Sequence, residues 1–250
     1  MELREFGGLN GPFVPAAHGG EPTQVMLLLH GWGADAADMF GLAPILGQVK
    51  QGCAFYAPNA PYPCAASPHG REWFDIHQGE KGAIMAMDDL DELLNGAFDE
   101  FSVPASRIIL GGFSQGGMMT LAAGPAYELA GLISFSGALL TEQKLIEATA
   151  SSPPILLIHG DLDDVVPPTA LIDAQSHLEE KGYDVEVVLE KGIGHSISET
   201  GLDAARHLKH LFPKINPTEL LKKLNTSWPS VEGIFFPTTY RYHGATSDLD

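Results

Sequence analysis

The segment that is most informative about the fold is Arg107-Ile108-Ile109-Leu110-Gly111-Gly112-Phe113-Ser114-Gln115-Gly116-Gly117. It begins with an unbroken aliphatic run, which is typical of a strand buried on both faces of a sheet. A turn carrying Ser114 between glycines follows, and then a helix of small residues through residues 118–123. A strand, a sharp turn with serine and a helix form the context of a nucleophile elbow, which holds the serine hydroxyl above the sheet at a helix N-terminus. Ser114 is therefore the candidate nucleophile.

Similar aliphatic runs recur along the chain, separated by segments with helical periodicity. The clearest predicted strands are residues 25–30, 54–57, 107–111, 132–135, 155–159 and 185–189. Residues 83–101 carry apolar side chains at helical spacing, and residues 169–181 predict a second crossover helix. This alternation predicts an α/β fold with a mostly parallel central sheet and helices on both faces.

Length and composition exclude several classes of protein. The chain has 250 residues, with 14 Lys+Arg against 32 Asp+Glu and a formal net charge of −18. Phosphate backbones and anionic membrane surfaces repel such a chain, so we expect no nucleic-acid partner. No apolar run approaches the roughly 20 residues of a membrane span, and we expect none. With two cysteines, too few for a disulfide scaffold, and no visible secretory signal, we expect a cytoplasmic protein.

The sequence changes character after Phe212. The α/β pattern ends there and predicts one catalytic domain over residues 1–212. Residues 213–250 are interrupted by prolines and read as a C-terminal extension. The extension carries an aromatic group of Phe235, Phe236, Tyr240 and Tyr242. Such a group predicts an anchor either on the chain's own surface or on a second subunit, as in a homodimer.

An elbow serine needs an acid and a histidine, and in this fold both follow it, each in a loop after a later strand. Among the histidines, His195 has this position, in a glycine-flanked loop after the predicted strand 185–189. The loop after strand 155–159 carries Asp161, Asp163 and Asp164, and the residues alone do not choose among them. This chain order distinguishes a catalytic elbow from a glycine-rich turn with an incidental serine.

The oxyanion formed during acyl transfer needs backbone N–H donors. One is expected from Gln115, the residue after the nucleophile, and a second from the loop His30-Gly31-Trp32-Gly33 after the first predicted parallel strand. His30 precedes Ser114 in the chain, so we expect it to stabilise this loop rather than to react.

The histidines near the end of the predicted domain are expected to be exposed helix residues and not a metal site. His207 and His210 are one helical turn apart, as in a metal-binding pair, but no third ligand accompanies them. The sequence also lacks a nucleotide-binding glycine pattern. We therefore expect neither a metal nor a cofactor.

Together these motifs resemble the carboxylesterase and acyl-protein thioesterase family of the α/β-hydrolase fold. The resemblance covers roughly residues 14–212 and rests on the segments Leu29-His30-Gly31-Trp32-Gly33-Ala34-Asp35, Gly112-Phe113-Ser114-Gln115-Gly116-Gly117, His159-Gly160-Asp161-Leu162-Asp163-Asp164-Val165-Val166-Pro167 and Gly194-His195. It implies an α/β-hydrolase fold without a large cap domain. It also implies a triad of Ser114, Asp163 and His195, because the family's acid follows the His of the His-Gly pair by four residues.

The resemblance also implies roles for residues around the triad. It assigns the oxyanion donors to the backbone N–H groups of Trp32 and Gln115, and it places Trp73 near the acyl groove as a substrate-binding residue, although a buried core tryptophan fits Trp73 equally well. Trp32 is bulkier than the family's frequent aliphatic residue, which would narrow the acyl entrance. The extension 213–250 has no counterpart in the family.

The function implied by the resemblance is that of a serine hydrolase. It would cleave small-molecule carboxylic esters of short to medium acyl chain through a Ser-His-Asp acyl-enzyme mechanism without a cofactor. An acyl thioesterase or a lysophospholipase would use the same residues with a different leaving group and groove. A non-catalytic ligand-binding relative would be expected to have a broken triad, whereas all three residue types are present.

Overall fold

The strands form one large sheet and one small ribbon. The chain is described by a computed structural model over residues 2–47, 52–141 and 144–207. In chain order, the strands within these ranges are β1 Glu2–Phe6, β2 Leu9–Val14, β3 Gln24–Leu29, β4 Cys53–Tyr56, β5 Tyr62–Pro63, β6 Arg71–Glu72, β7 Ile108–Phe113, β8 Gly131–Phe135, β9 Ile155–Gly160 and β10 Val185–Glu190. The large sheet has the order β1-β2-β4-β3-β7-β8-β9-β10, and all its neighbours from β4 to β10 pair in parallel. β5 and β6 pair with each other in the antiparallel sense.

Helices cover both faces of the large sheet. In the described ranges they are α1 Ala36–Phe40, α2 Ala43–Gly47, α3 Gly79–Met85, α4 Met87–Phe101, α5 Gln115–Ala123, α6 Thr169–Glu180 and α7 Glu199–His207. Successive side chains of a strand point to opposite faces. In β3, Val25, Leu27 and Leu29 accordingly pack in one core cluster with α4 and α5, whereas Met26 and Leu28 pack in a second cluster with α1 and α7. The predicted α/β architecture is confirmed.

Parallel pairing brings the functional loops together. Because β3, β7, β9 and β10 run in the same direction, their carboxyl ends lie at one edge of the sheet. The loops that leave these ends carry the motifs singled out in the sequence: the loop around Trp32, the elbow at Ser114, the aspartates after β9 and His195. This edge is where ligands bind in open α/β sheets.

An antiparallel hairpin at the N-terminus was not predicted from the sequence. β1 and β2 pair antiparallel with Phe6 opposite Leu9, and β2 then pairs antiparallel with β4. The turn is Gly7-Gly8, and both residues have positive φ angles, 53° and 75°. A Gly-Gly pair between apolar residues is a hairpin signal because glycine adopts these angles without a steric penalty. Pro12, inside β2, obscured the strand pattern.

Two further elements differ from the sequence-based expectation. The single helix expected over residues 83–101 is divided at Ala86 into α3 and α4. The last predicted parallel strand, β10, lies at the end of the strand order and is not doubly buried, since Leu189 is 50% exposed. An edge position leaves part of such a strand open to solvent.

The chain divides by its contacts into two units, residues 1–213 and 214–250. The predicted extension with its aromatic group, His210 and the side chain of His207 lie outside the described residues. In the described part of the chain, no helix has the length and apolar character needed to cross a bilayer.

Candidate active site

Ser114 occupies a strained turn between β7 and α5. Its backbone has a φ of 53° and a ψ of −117°, a conformation rarely adopted by a residue with a side chain. Its amide donates to the carbonyl of Phe135 at 2.8 Å, which fixes the turn against β8. A Cβ at Gly116 would come within 2.7 Å of the His30 carbonyl oxygen, so glycine is required for α5 to approach β3 this closely. The turn has the strand–serine–helix arrangement predicted for the elbow.

The structure brings Ser114, His195 and Asp163 into one hydrogen-bonded chain. His195 Nε2 lies 2.9 Å from Ser114 Oγ, and His195 Nδ1 lies 2.8 Å from Asp163 Oδ2. The Phe113 ring packs against the imidazole with ring centroids 4.8 Å apart. If Nδ1 carries the hydrogen donated to the carboxylate, Nε2 is free to accept the serine proton. This chain of hydrogen bonds can transfer a proton from Ser114 to His195, a base that is oriented by the Asp163 carboxylate.

Asp163 is the one of the three candidate aspartates that reaches His195. Its Oδ1 accepts hydrogen bonds from the amides of Val165 and Val166 at 3.0 and 2.9 Å, and its side chain has no exposed surface. Asp161 instead accepts from the Gly192 amide at 2.6 Å, and Asp164 is exposed. Tertiary contacts thus distinguish residues that the sequence alone left open.

The Asp163 carboxylate is stabilised in its ionised form despite its burial. Burial by itself would raise the pKa of Asp163. Hydrogen bonding from His159, His195 and the Val166 amide opposes this effect and holds the pKa of Asp163 well below its usual range. At neutral pH the group is therefore an anion that accepts hydrogen bonds and can stabilise a charged imidazole.

His30 supports the loop after β3 and is not part of the proton chain. Its Nε2 accepts from the Ala60 amide at 3.0 Å, so the ring hydrogen lies on Nδ1, which donates to the Gly31 carbonyl at 2.8 Å. Burial lowers the pKa of His30, which keeps the ring neutral. Because the carbonyl of Gly31 and the N–H of Trp32 belong to one trans peptide, fixing the carbonyl directs this N–H to the opposite side.

The loop after β3 is also anchored from β6. The Gly33 amide donates to the Arg71 carbonyl at 2.9 Å, and the Arg71 amide donates to the Ala34 carbonyl at 2.8 Å. A Cβ at Gly31 would lie 3.3 Å from Ser114 Cβ, which places this loop against the serine. The predicted oxyanion loop is therefore rigid and adjacent to Ser114.

Gln115 and Trp73 connect the elbow to this loop. The Gln115 side chain accepts from the Trp73 amide at 2.9 Å and donates to the Phe74 carbonyl at 2.7 Å. The Trp73 side chain is fully buried, and its indole N–H donates to the His30 carbonyl at 2.9 Å. Trp73 therefore makes a supporting contact to the loop after β3, as expected of a buried tryptophan, and its contact with a substrate stays a prediction.

Trp32 forms a pair with Glu72 that the sequence reading did not identify. The indole N–H of the half-buried Trp32 donates to Glu72 Oε2 at 2.6 Å. The pair fixes the bulky ring beside the oxyanion loop. Nothing in the local sequence marks Glu72 for this contact, because it follows the loop of Trp32 by some forty residues and enters from β6.

His159 is a second histidine at the acid that the sequence reading used only as part of a motif. Its side chain is buried, with Nε2 at 2.8 Å from the Val166 carbonyl and 3.3 Å from Asp163 Oδ2. The spacing of four residues to Asp163 was visible in the sequence. Within residues 2–47, 52–141 and 144–207, His, Cys, Asp and Glu form no cluster of three that could hold a metal ion.

Comparison with known proteins gives consistent matches. The model of the phospholipase/carboxylesterase family matches residues 10–211. Acyl-protein thioesterase 1 of Neurospora crassa is 32% identical over 209 residues, which cover 74% of this chain and 83% of that protein. A probable carboxylesterase of Oryza sativa subsp. japonica is 33% identical over 162 residues, covering 58% of this chain and 60% of that protein. Among solved structures, esterase PE8 is similar with a TM-score of 0.74 and 37% identity, over 80% of this chain and 97% of that one.

Proposed function

We propose that Ser114, His195 and Asp163 are the catalytic triad of a carboxylesterase. This chain belongs to the phospholipase/carboxylesterase family of α/β-hydrolases. The chain is a serine hydrolase of this family. The observation that carries the assignment of residues is the continuous chain of hydrogen bonds, 2.9 Å from Ser114 to His195 and 2.8 Å from His195 to Asp163. These distances are those of a nucleophile, a general base and the group that orients the base.

The reaction begins with attack of Ser114 Oγ on the acyl carbonyl carbon of the ester. His195 Nε2 accepts the serine proton, and the Asp163 carboxylate stabilises the resulting imidazolium. His195 then returns this proton to the leaving alcohol oxygen. The product of this half-reaction is an acyl group esterified to Ser114.

The oxyanion of the tetrahedral intermediate is held by the backbone N–H groups of Trp32 and Gln115. Gln115 is the first residue of α5, where amide hydrogens have no acceptor within the helix. Trp32 follows Gly31, whose carbonyl is fixed by His30 and at which a Cβ would lie 3.3 Å from Ser114 Cβ. Two donors held in this way need little reorganisation when the charge develops, and loss of one donor typically costs about 3–4 kcal/mol of barrier.

Hydrolysis of the acyl-enzyme completes the cycle. A water molecule attacks the acyl carbonyl while His195 removes its proton, and the same proton then goes to Ser114 Oγ as the carboxylic acid leaves. Every proton transfer is assigned to His195, so the cycle needs no metal ion and no organic cofactor.

The substrate we propose is a small-molecule carboxylic ester with a short to medium acyl chain. Trp32, fixed by Glu72 at the oxyanion loop, supports this choice because a large ring there restricts the space for a long chain. A thioester is the second candidate, since the N. crassa relative is an acyl-protein thioesterase. The two reactions use the same triad and differ in the leaving atom, oxygen or sulfur.

We propose further that the protein acts in the cytoplasm and that its extension supports a homodimer. The cysteine content supports the first proposal, because two cysteines are too few for the disulfide scaffold that is typical of small secreted proteins. The aromatic group of residues 235–242 supports the second. Fractionation of the native cell tests the location. Light scattering of the full chain and of a chain ending at residue 212 tests the role of the extension. Equal subunit numbers in the two would contradict that role.

The triad assignment is tested with S114A. We expect kcat for p-nitrophenyl butyrate to fall by about 10⁵-fold or more, with loss of labelling by a fluorophosphonate probe and an unchanged circular dichroism spectrum. Ser151→Ala, at an exposed serine, is the matched control and should retain wild-type activity. Substantial activity in S114A would overturn the assignment. Parallel kcat/KM values for an oxygen ester and a thioester of the same acyl chain then decide between the two substrate classes.

A further inference from the structure

We propose that His159 is a positioning residue for the acid of the triad: it holds the Asp163 loop and carboxylate in place and thereby tunes the base, His195. The proposal rests on the proposed function, because it concerns the same triad. Two imidazoles approach the same carboxylate oxygen, Asp163 Oδ2. His195, in the loop after β10, places its Nδ1 at 2.8 Å, and His159, in β9, places its Nε2 at 3.3 Å. The side chains of His159 and Asp163 are 1% and 0% exposed.

The position of the ring hydrogen on His159 follows from its partners. The Val166 carbonyl, 2.8 Å from Nε2, can only accept a hydrogen bond. Nε2 must therefore carry a hydrogen. The same N–H edge lies 3.3 Å from Asp163 Oδ2, a longer secondary contact that places partial positive charge beside the carboxylate. His159 thus acts on the acid as a donor.

The contacts of His159 and Asp163 form a closed ring. Asp163 Oδ1 accepts from the Val166 amide at 2.9 Å, the Val166 carbonyl accepts from His159, and His159 contacts Asp163 Oδ2. Without His159, the amides of Val165 and Val166 would still hold Oδ1, but Oδ2 would be held by His195 alone. The carboxylate could then rotate about its Cβ–Cγ bond, and the Val166 carbonyl would lack its donor.

The charged groups around this cluster support the same role. Besides Asp163 and His195, the neighbouring strand β10 places Glu190 beside Gly160. The Glu190 carboxylate accepts from the Ser198 hydroxyl, and its other oxygen lies toward Gly201 of α7. Asp161 is engaged by the Gly192 amide. Among the described residues, Asp163 is the carboxylate for which a contact with His159 is observed.

A structural role alone and a positioning role differ in their effect on pH dependence. If the donor at Oδ2 is removed, more of the negative charge on Asp163 is available to His195. The imidazolium form of His195 is then stabilised. The acid limb of the pH profile of kcat/KM, in which activity falls with decreasing pH, therefore moves to higher pH. A residue that merely fills space in the core would change the amount of folded enzyme without moving this limb.

The test compares H159L, which removes the donor, with H159Q, whose amide nitrogen keeps an N–H donor at a similar reach. Rates are expressed per active site titrated with a fluorophosphonate, so partial misfolding does not enter. For H159L we expect kcat about 10- to 100-fold below wild type, KM within about threefold, and an acid limb displaced upward by about half a pH unit or more. H159Q should keep the acid limb of kcat/KM at its wild-type pH and retain most of the wild-type kcat.

The outcomes separate this proposal from the triad assignment. If the wild type is active and H159L has the same kcat per site and the same acid limb of kcat/KM, the role of His159 is overturned and the triad assignment stands. If S114A keeps substantial activity, both are overturned.

A second measurement uses the wild-type chain and does not depend on the folding of a variant. In ¹⁵N-histidine-labelled enzyme, assigned with H159Q, the His159 hydrogen is expected on Nε2. A hydrogen found only on Nδ1 would overturn the proposal.

Discussion

Replacing Asp163 by asparagine changes one atom of the acid and tests the whole chain of hydrogen bonds. The amides of Val165 and Val166 donate to Oδ1, so the asparagine oxygen has to occupy that position. Its NH₂ group then replaces Oδ2 and faces His195 Nδ1 at 2.8 Å. A donor there favours the His195 tautomer with a bare Nδ1 and a hydrogen on Nε2. In that tautomer Nε2 cannot accept the proton of Ser114.

The size of the effect follows from the cost of restoring the active tautomer. With its hydrogen back on Nδ1, His195 loses a hydrogen bond to a charged acceptor, about 1.5–3 kcal/mol, and two buried donors face each other unpaired, about 1–3 kcal/mol each. The sum is at least about 3.5 kcal/mol. Since about 1.36 kcal/mol corresponds to a factor of ten, kcat of D163N should be lower by about 300-fold or more.

The assay is hydrolysis of p-nitrophenyl butyrate at pH 7.5, with folding checked by circular dichroism. D161N and D164N are matched controls from the same loop. Asp164 is exposed, and asparagine at 161 keeps an oxygen for the Gly192 amide, so both variants should remain within about threefold of wild type. A kcat of D163N within tenfold of wild type would contradict the role of Asp163, and so would a large loss in one of the two controls.

Three further predictions concern specificity, stability and pH. W32L removes the ring fixed by Glu72, so the ratio of kcat/KM for a twelve-carbon over a four-carbon acyl ester should rise at least about threefold; an unchanged ratio in the acyl-chain series would show that Trp32 does not limit the groove. W73F leaves the buried His30 carbonyl without its indole donor and should lower the free energy of unfolding in urea by about 1–3 kcal/mol, whereas no loss would contradict the supporting role of the indole. The pKa of Asp163 is held below its usual range, so its ionised form contributes stability at pH values above about 4 that is lost as the pH falls further. The difference in free energy of unfolding between wild type and D163N should therefore narrow from pH 6 to pH 3, and a constant difference would argue against a stabilised carboxylate.

Most of the fold could be predicted because parallel strands of this type are recognisable from composition alone. A strand covered on both faces, such as β9, consists of consecutive aliphatic residues, and a periodic segment such as α4 shows its buried face. The N-terminal hairpin was missed because β2 contains Gly11 and Pro12, which weaken the strand pattern. The break at Ala86 was missed because alanine favours a helix and carries no signal for an interruption.

Part of the site could be predicted for a similar local reason. Ser114 and His195 lie in short segments whose glycines and flanking strands identify them. Asp163 could not be separated from Asp161 and Asp164 without the resemblance, because all three lie within four residues of each other and differ only in where their side chains point. The sequence left open whether Trp73 lines the groove or lies in the core, because its burial and its bond to the His30 carbonyl depend on how β6 passes the loop after β3.

The class of sheet and the chain order of Ser114, an aspartate and His195 could be predicted from the sequence, because they depend on local composition and on position along the chain. Three contacts became visible only in the folded chain: Asp163 is the aspartate that reaches His195, His159 lies beside that aspartate, and Glu72 holds the Trp32 indole. These contacts join residues on different strands and loops. Their distances depend on the register and twist of the whole sheet, which no short segment of sequence encodes.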